Sequence, residues 1–190
     1  MITVGFALCG SYCTFKEAIE QIEVLSKDDS IKLIPIMSEN AYSIDTRFGE
    51  AESHIKHIEH ITKTKILHTL TEVEPFGPKK TLDALIIAPC TGNTLAKLAL
   101  GIADTSVTFA AKAHLRNDRP ILIGISTNDA LAAASKNIGS LHNTKNIFFI
   151  PYRQDSPLNK PNSMIADFTK TKAALSSALK REQVQPVVIC

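Results

Sequence analysis

The chain has 190 residues, 44% of them hydrophobic and 21% charged, with a formal net charge of +2. That length supports one sizeable core, so residues 1–190 read as a single domain. Near-balanced charge without a basic block or tail leaves no footprint for nucleic acid or a membrane surface.

In chain order, residues 2–9 (ITVGFALC) read as a buried strand closed by Gly10-Ser11. The opening lacks a charged leader, and its apolar run is too short for a signal peptide or a membrane span. Thr14 and Glu17 have capping-box spacing, and Phe15, Ala18, Ile19, Ile22 and Leu25 share one face of the helix that follows. Residues 31–37 (IKLIPIM) form a second strand, placed near a sheet edge by Pro35, which cannot donate to a ladder. A helix over 50–62 repeats Ile55, Ile58 and Ile61. Residues 65–70 read as a short strand and 74–81 (EPFGPKKT) as a turn-rich loop. Strand 83–88 runs into helices at 92–101 and 106–116, and strand 120–126 feeds a helix starting near Asn128. Strand 146–151 opens onto a proline-rich loop, and a last helix covers 162–181. The tail QPVVIC is free to add an edge strand or pack on a neighbour.

Apolar strands alternating with helices predict an α/β fold: a doubly wound, Rossmann-like parallel sheet with helices on both faces. In such sheets ligands bind outside the carboxyl ends of the strands. Those ends carry Gly10-Ser11, then Ser38, then Pro89-Cys90-Thr91-Gly92-Asn93-Thr94, then Ser126 and Asn128. Helix N-termini with free amides and nearby hydroxyls suit a phosphate. Capping alone accounts for any one of these segments, but four at one sheet edge mark a pocket. The first turn lacks GxGxxG spacing, Glu39 lies one place past the second strand's end, and no GxxxxGK[ST] occurs. A mononucleotide phosphate fits better than a dinucleotide.

Cys9, Cys13, Cys90 and Cys190 form no CxxC pair and no metal-type spacing, so free thiols in a reducing cytoplasm are expected. Cys190, with nothing after it, offers no prenylation signal. His54, His57 and His60 form HxxHxxH but lack further ligands, so they read as a solvated helix flank and no metal is assigned. Cys9 and Cys90 read as strand-end packing, and Lys97 as a snorkelling side chain rather than a catalytic one. Arg47 and Arg153 fall in loops expected near the pocket mouth. A guanidinium fork there suits a small dicarboxylate, or pairs with Asp45, Glu50 or Asp155.

The segment APCTGNTLAKLALGIAD (88–104) resembles the APxTANTxAKxAxGxAD stretch of the homo-oligomeric flavin-containing cysteine decarboxylases. Gly10-Ser11 and Ser38 match their first and second turns. Further segments, DTRFGEAESHIKHIE (45–59), EPFGPKKTLD (74–83), STNDAL (126–131) and PYRQDSPLNKPNSMIADF (151–168), are similar to the dipicolinate synthase B-subunit family within that flavoprotein superfamily. The resemblance implies FMN held by Gly10, Ser11, Ser38, Pro89, Thr91, Gly92, Asn93, Thr94, Ser126 and Asn128. It implies assembly as trimers or multiples of them, in the cytoplasm of the mother cell of a sporulating bacterium. It also implies a partner, the dipicolinate synthase A subunit, as the expected carrier of NAD(P). With that partner a dihydrodipicolinate-type intermediate is oxidised to dipicolinate.

The departures narrow this expectation. The decarboxylase histidine position, eight residues before Asp83, is Pro75 here, and His68 lies fifteen residues before it. Of the decarboxylase PxMN segment only an asparagine survives, at Asn128. Two readings follow: an oxidoreductase component inactive alone, or a non-catalytic FMN- or phosphate-binding partner that stabilises the A subunit. Charged substrate-side residues required for turnover would separate them.

Overall fold

The computed structural model describes residues 1–189; Cys190 lies outside the described residues. Two apolar layers sandwich one sheet. β1 (Ile2–Leu8) is followed by α1 (Phe15–Ser26), and β2 (Ile31–Met37) by α2 (Glu39–Ser43), α3 (Ala51–Thr62), α4 (Leu70–Val73) and α5 (Phe76–Lys79). β3 (Ala84–Cys90) leads into α6 (Gly92–Ala99) and α7 (Ser106–Leu115). β4 (Ile121–Thr127) leads to α8 (Ser135–His142) and β5 (Ile147–Phe149). A hairpin of β6 (Tyr152–Ser156) and β7 (Lys160–Ala166) precedes α9 (Thr171–Leu179).

The strand order is β2-β1-β3-β4-β7-β6, with β5 also on β4. β2, β1, β3, β4 and β5 pair in parallel. The order reverses between β1 and β3, the switch point where open α/β sheets form their crevice. β3 is buried along its whole length, as a central strand covered on both faces must be. One core face packs Phe15, Ile22 and Leu25 of α1 with Ile55 and Ile58 of α3 and Leu175 of α9. The other packs Phe76, Leu95, Val107, Ala110 and Leu141 from α5 to α8.

Pro35 sits on β2, an outer strand of the sheet, as its missing donor predicts. Several boundaries differ from the sequence reading. Residues 65–70 give only an isolated bridge, Leu67 with Ile36, and 74–81 contains α5. The helix expected near Asn128 begins at Ser135, after turns closed by Asp129 O accepting from the Ala132 and Ala134 amides.

The largest correction is the hairpin. The stretch expected as a proline-rich loop and the start of a helix at 162 forms β6 and β7, both antiparallel, so the sheet is mixed. β5 is three residues long and covers only Ile121–Ile123 of β4. Ser126 and Thr127 farther along β4 therefore have a free edge, and β7 pairs there. The final helix waits until Thr171, after the Asp167 carboxylate takes the Thr169 amide. Among the described residues the tail makes an isolated parallel bridge, Val188 with Tyr152: Val187 O accepts from Tyr152 N and Ile189 N donates to Tyr152 O, both at 3.0 Å.

Candidate functional site

The carboxyl ends of β1, β3 and β4 open onto two adjoining cavities of about 210 and 400 Å3 that share Gly10 and Thr91. Ser11, Ser126 and Asn128 line the smaller; Ser38, Asn93 and Thr94 line the larger. Eight of the ten candidate residues are thus wall residues. Pro89 and Gly92 shape the site from behind. Pro89 O accepts from the Cys9 amide at 3.2 Å, tying the ends of β1 and β3 together. A Cβ on Gly92 would stand 2.6 Å from Asp129 Oδ1 and 2.7 Å from Thr127 Oγ1. Glycine there lets the start of α6 close against the turn after β4.

The hydroxyls form a directed chain. Ser11 Oγ lies 2.8 Å from Ser126 Oγ, which lies 3.1 Å from Thr14 Oγ1. Thr14 donates to the Ser11 carbonyl, so its single proton is spent there. Ser126 must then donate to Thr14, and Ser11 to Ser126. This overturns the capping box expected at Thr14 and Glu17: the Thr14 hydroxyl makes no cap bond to α1 because it serves the β1 and β4 turns instead.

The other polar groups sort into caps and pairs. Ser38 Oγ caps α2 through the Ala41 amide at 3.3 Å, and Thr91 Oγ1 caps α6 through the Thr94 amide at 3.2 Å. The amides of Gly92 and Asn93, in the first turn of α6, are left without helical partners. Glu39 reaches across to the first turn of α7, where its carboxylate accepts from the Ser106 amide at 3.0 Å. It serves that helix N-terminus, as a carboxylate does favourably. Lys97, on the wall of the larger cavity, is paired with Asp104 at 2.8 Å. Lys160 is paired with Asp155, a wall residue of the smaller cavity, at 2.7 Å. Lys97 apart, the donor groups facing the cavities are neutral hydroxyl and amide, which fits a phosphate held at helix N-termini.

Burial pushes the Cys9 thiol up to about 11, against hydrogen bonds from Thr94 and Thr91 that lower it. Burial and the neighbouring Cys9 raise Cys90 as well. Neither forms the thiolate that a nucleophile needs. Among the described residues no histidine lines either cavity. Pro75 stands at the N-terminus of α5. His68 stacks flat on Tyr42 with ring centroids 3.7 Å apart, beside Glu72 at 3.6 Å. The histidines of α3 diverge: His54 packs edge-on against Phe15, His57 meets Glu23 at 3.1 Å, and His60 is exposed.

Arg47 and Arg153 are exposed and line neither cavity. The Arg47 guanidinium lies 4.8 Å over the Phe48 ring. Of their expected partners, Asp45 takes the Ala51 amide and Asp155 takes Lys160. Sequence reading misses Thr14 and Ser163 as contributors to the smaller cavity's wall, and takes Asp155 near the pocket mouth only as a partner for a loop arginine. Thr14 carries a signal, since it stands three residues past Ser11, but its capping-box spacing masks it. Asp155 and Ser163 arrive on the unforeseen hairpin, and Ser163 Oγ donates to Thr127 O at 3.3 Å.

The sequence matches the Flavoprotein family over residues 1–183. It is 44% identical over 186 residues to the dipicolinate synthase B subunit of Bacillus subtilis (strain 168), covering 98% of this chain and 92% of that protein. The crystal structure of the dipicolinate synthase B subunit from Bacillus halodurans C superposes with a TM-score of 0.91 at 43% identity, covering 100% of this chain and 96% of that one. An FMN-dependent cysteine decarboxylase, SpaF, shares the fold at a TM-score of 0.69 and 21% identity, with 95% and 97% covered. Among the described residues no helix is long and apolar enough to cross a membrane. With sequence and fold matching along nearly the full length, the chain belongs to the flavoprotein family, and within it to the dipicolinate synthase B subunits.

Proposed function

We propose that this chain holds FMN across the two strand-end cavities and acts with a separate A subunit to oxidise a dihydrodipicolinate-type ring to dipicolinate. The observation that carries the reading is the switch-point crevice, where Gly10, Ser11, Thr91 and Ser126 bring neutral hydroxyl and amide groups to the carboxyl ends of three strands. A phosphate there would turn the Ser11 hydroxyl outward, leaving Ser126 to donate to Ser11 or Thr14. The amides of Gly92 and Asn93 and the wall side chain of Asn93 add donors. Bound FMN supplies a two-electron redox centre. The first turn has no GxGxxG, so the nicotinamide cofactor belongs to the A subunit, and this chain alone has no synthase activity. The working assembly is a trimer or a multiple of trimers in the cytoplasm of the mother cell.

A second reading is supported by the same walls. Among the described residues they hold no histidine and no cation free of a carboxylate partner, which suits a partner that stabilises the A subunit without taking part in chemistry. The deciding experiment reconstitutes this chain with the A subunit, with FMN supplied or omitted, and records the flavin absorbance of this chain purified alone. Wild type is expected to take up FMN and to be required for turnover. Ser11→Asp sets a carboxylate against the phosphate, a like-charge clash of several kcal/mol, and is expected to weaken FMN binding by about a hundredfold or more. Unchanged FMN affinity in that variant removes the assigned site, and turnover by this chain alone removes the division of labour. Turnover that needs this chain but is indifferent to FMN and to Arg47→Ala or Arg153→Ala establishes the second reading.

A further inference from the structure

Away from the strand ends, the later turns of α7 border a separate cavity of about 200 Å3. Phe109 and Ala113 give it an apolar wall, Gly77 and Pro78 close one side, and Lys112 and Arg116 stand one helical turn apart on another. Among the described residues neither Lys112 nor Arg116 is paired with an acid. Two cations at this spacing repel each other. The helix dipole favours a cation near a helix C-terminus, but it does not explain why the wall opposite is built to receive one. A Cβ on Gly77 would meet Arg116 Nη2 at 2.9 Å, so this glycine leaves room for the guanidinium. The wall is also tied in place: Asn117 Nδ2 donates to Gly77 O at 2.8 Å and to Ala113 O at 3.2 Å.

Size and chemistry restrict what fits. The volume is below the ~300–1,000 Å3 of ordinary ligand pockets, which leaves room for one small ring. An apolar wall suits the flat face of that ring. Side chains four apart on a helix have Cβ atoms about 5–6 Å apart, so their charged ends can meet two carboxylates borne on one edge of a six-membered ring. We infer that this cavity binds a small ring carrying two carboxylates, one held by Lys112 and the other by the Arg116 fork. The identity of the ring rests on the proposed synthase role; the two-carboxylate requirement does not. Among the described residues Glu74 is the one acid on this wall and leaves it a net single positive charge. Its removal strengthens binding.

The test titrates the full chain with pyridine-2,6-dicarboxylate by calorimetry, and follows backbone amides by NMR. Benzoate, with one carboxylate, is the control. The dicarboxylate is expected to bind about tenfold tighter than benzoate and to shift amides of residues 74–78 and 109–116. Lys112→Gln and Arg116→Gln are each expected to cost about tenfold in affinity, and Glu74→Gln to raise it. Both cations are exposed, so folding is expected to persist, and an unchanged melting temperature verifies it. Equal binding of the two ligands, unchanged affinity in both variants, or amide shifts confined to the Ser11 and Ser126 turns overturns the proposal. So does failure of the dicarboxylate to bind while the two variants lose association with the A subunit, which would make this face a protein contact. Turnover by the A subunit without this chain defeats the synthase reading and leaves this binding measurement standing.

Discussion

His114 lies in the last turn of α7, 2% exposed, with Nε2 3.0 Å from the Pro120 carbonyl. That carbonyl can only accept, so Nε2 carries the proton of the neutral ring. Burial drives its pKa from the ordinary 6.5 down to about 4, with the Pro120 carbonyl and Asp83 pulling upward and Arg119 downward. Below pH 6.5 the unfolded chain takes up this proton while the folded one does not. Stability from this residue is full above pH 6.5, falls as pH drops, and is lost by about pH 4. The loss amounts to about 3 kcal/mol. His114→Gln keeps a donor for Pro120 and removes the titration. Urea midpoints measured between pH 7 and pH 4 are expected to fall less in the variant than in wild type, by that amount. Parallel pH dependences would exclude His114 as the cause.

At the scale of elements, three helices end on one clasp. Asp118, Asn146 and Arg181, following α7, α8 and α9, have φ of 57°, 66° and 65°. All three sit in the left-handed region that costs most residues about 1–2 kcal/mol. They bond to one another: Asn146 Nδ2 donates to Asp118 Oδ1 at 2.7 Å, and Arg181 donates to Asn146 Oδ1 and, at 2.6 Å, to Asp118 O. Asn146→Ala loses the two bonds that its side chain makes and keeps the backbone penalty; Asn146→Gly loses those two bonds alone. Chemical denaturation is expected to find the alanine variant less stable than the glycine variant by about 1 kcal/mol. Equal stabilities would mean that the turn relaxes out of the left-handed region.

The same scale explains what could be read in advance. β1 to β4 are legible because each is an apolar run punctuated by glycine, serine or threonine, and Pro35 announces an outer strand. The hairpin is not. Its stretch PYRQDSPLNKPNSM carries two internal prolines and exposed polar side chains, because it covers only the free end of β4 and buries little beyond Tyr152, Ser163 and Met164. Pairing with β4 decides it, and that contact is remote in sequence. The strand-end hydroxyls are legible one turn at a time. The Ser11–Ser126–Thr14 chain is not, because it spans up to 115 positions.

Taken as a whole, the molecule leaves apolar side chains uncovered beside the element that leads from the site. α6 carries the wall residues Asn93 and Thr94 in its first turn and ends at Ala99, about 10 Å from its start. The turn beyond it, opened by Gly101 at φ 70°, exposes Leu100 by 72% and Ile102 by 43%. Leu131 and Val188 are also more than half exposed. The tail covers itself only in part, through its two bonds to Tyr152. Uncovered apolar residues at a rigid helix end are what a partner copy would bury, and a contact there would join the neighbour directly to the helix that walls the site. Light scattering is expected to give the mass of a trimer or a multiple of it. Leu100→Glu, placed where the folded protomer makes little use of the side chain, is expected to lower that mass while leaving the protomer's melting behaviour nearly unchanged. A concentration-independent monomer for wild type would rule out the assembly, and an unaltered mass for Leu100→Glu would move the contact to another face.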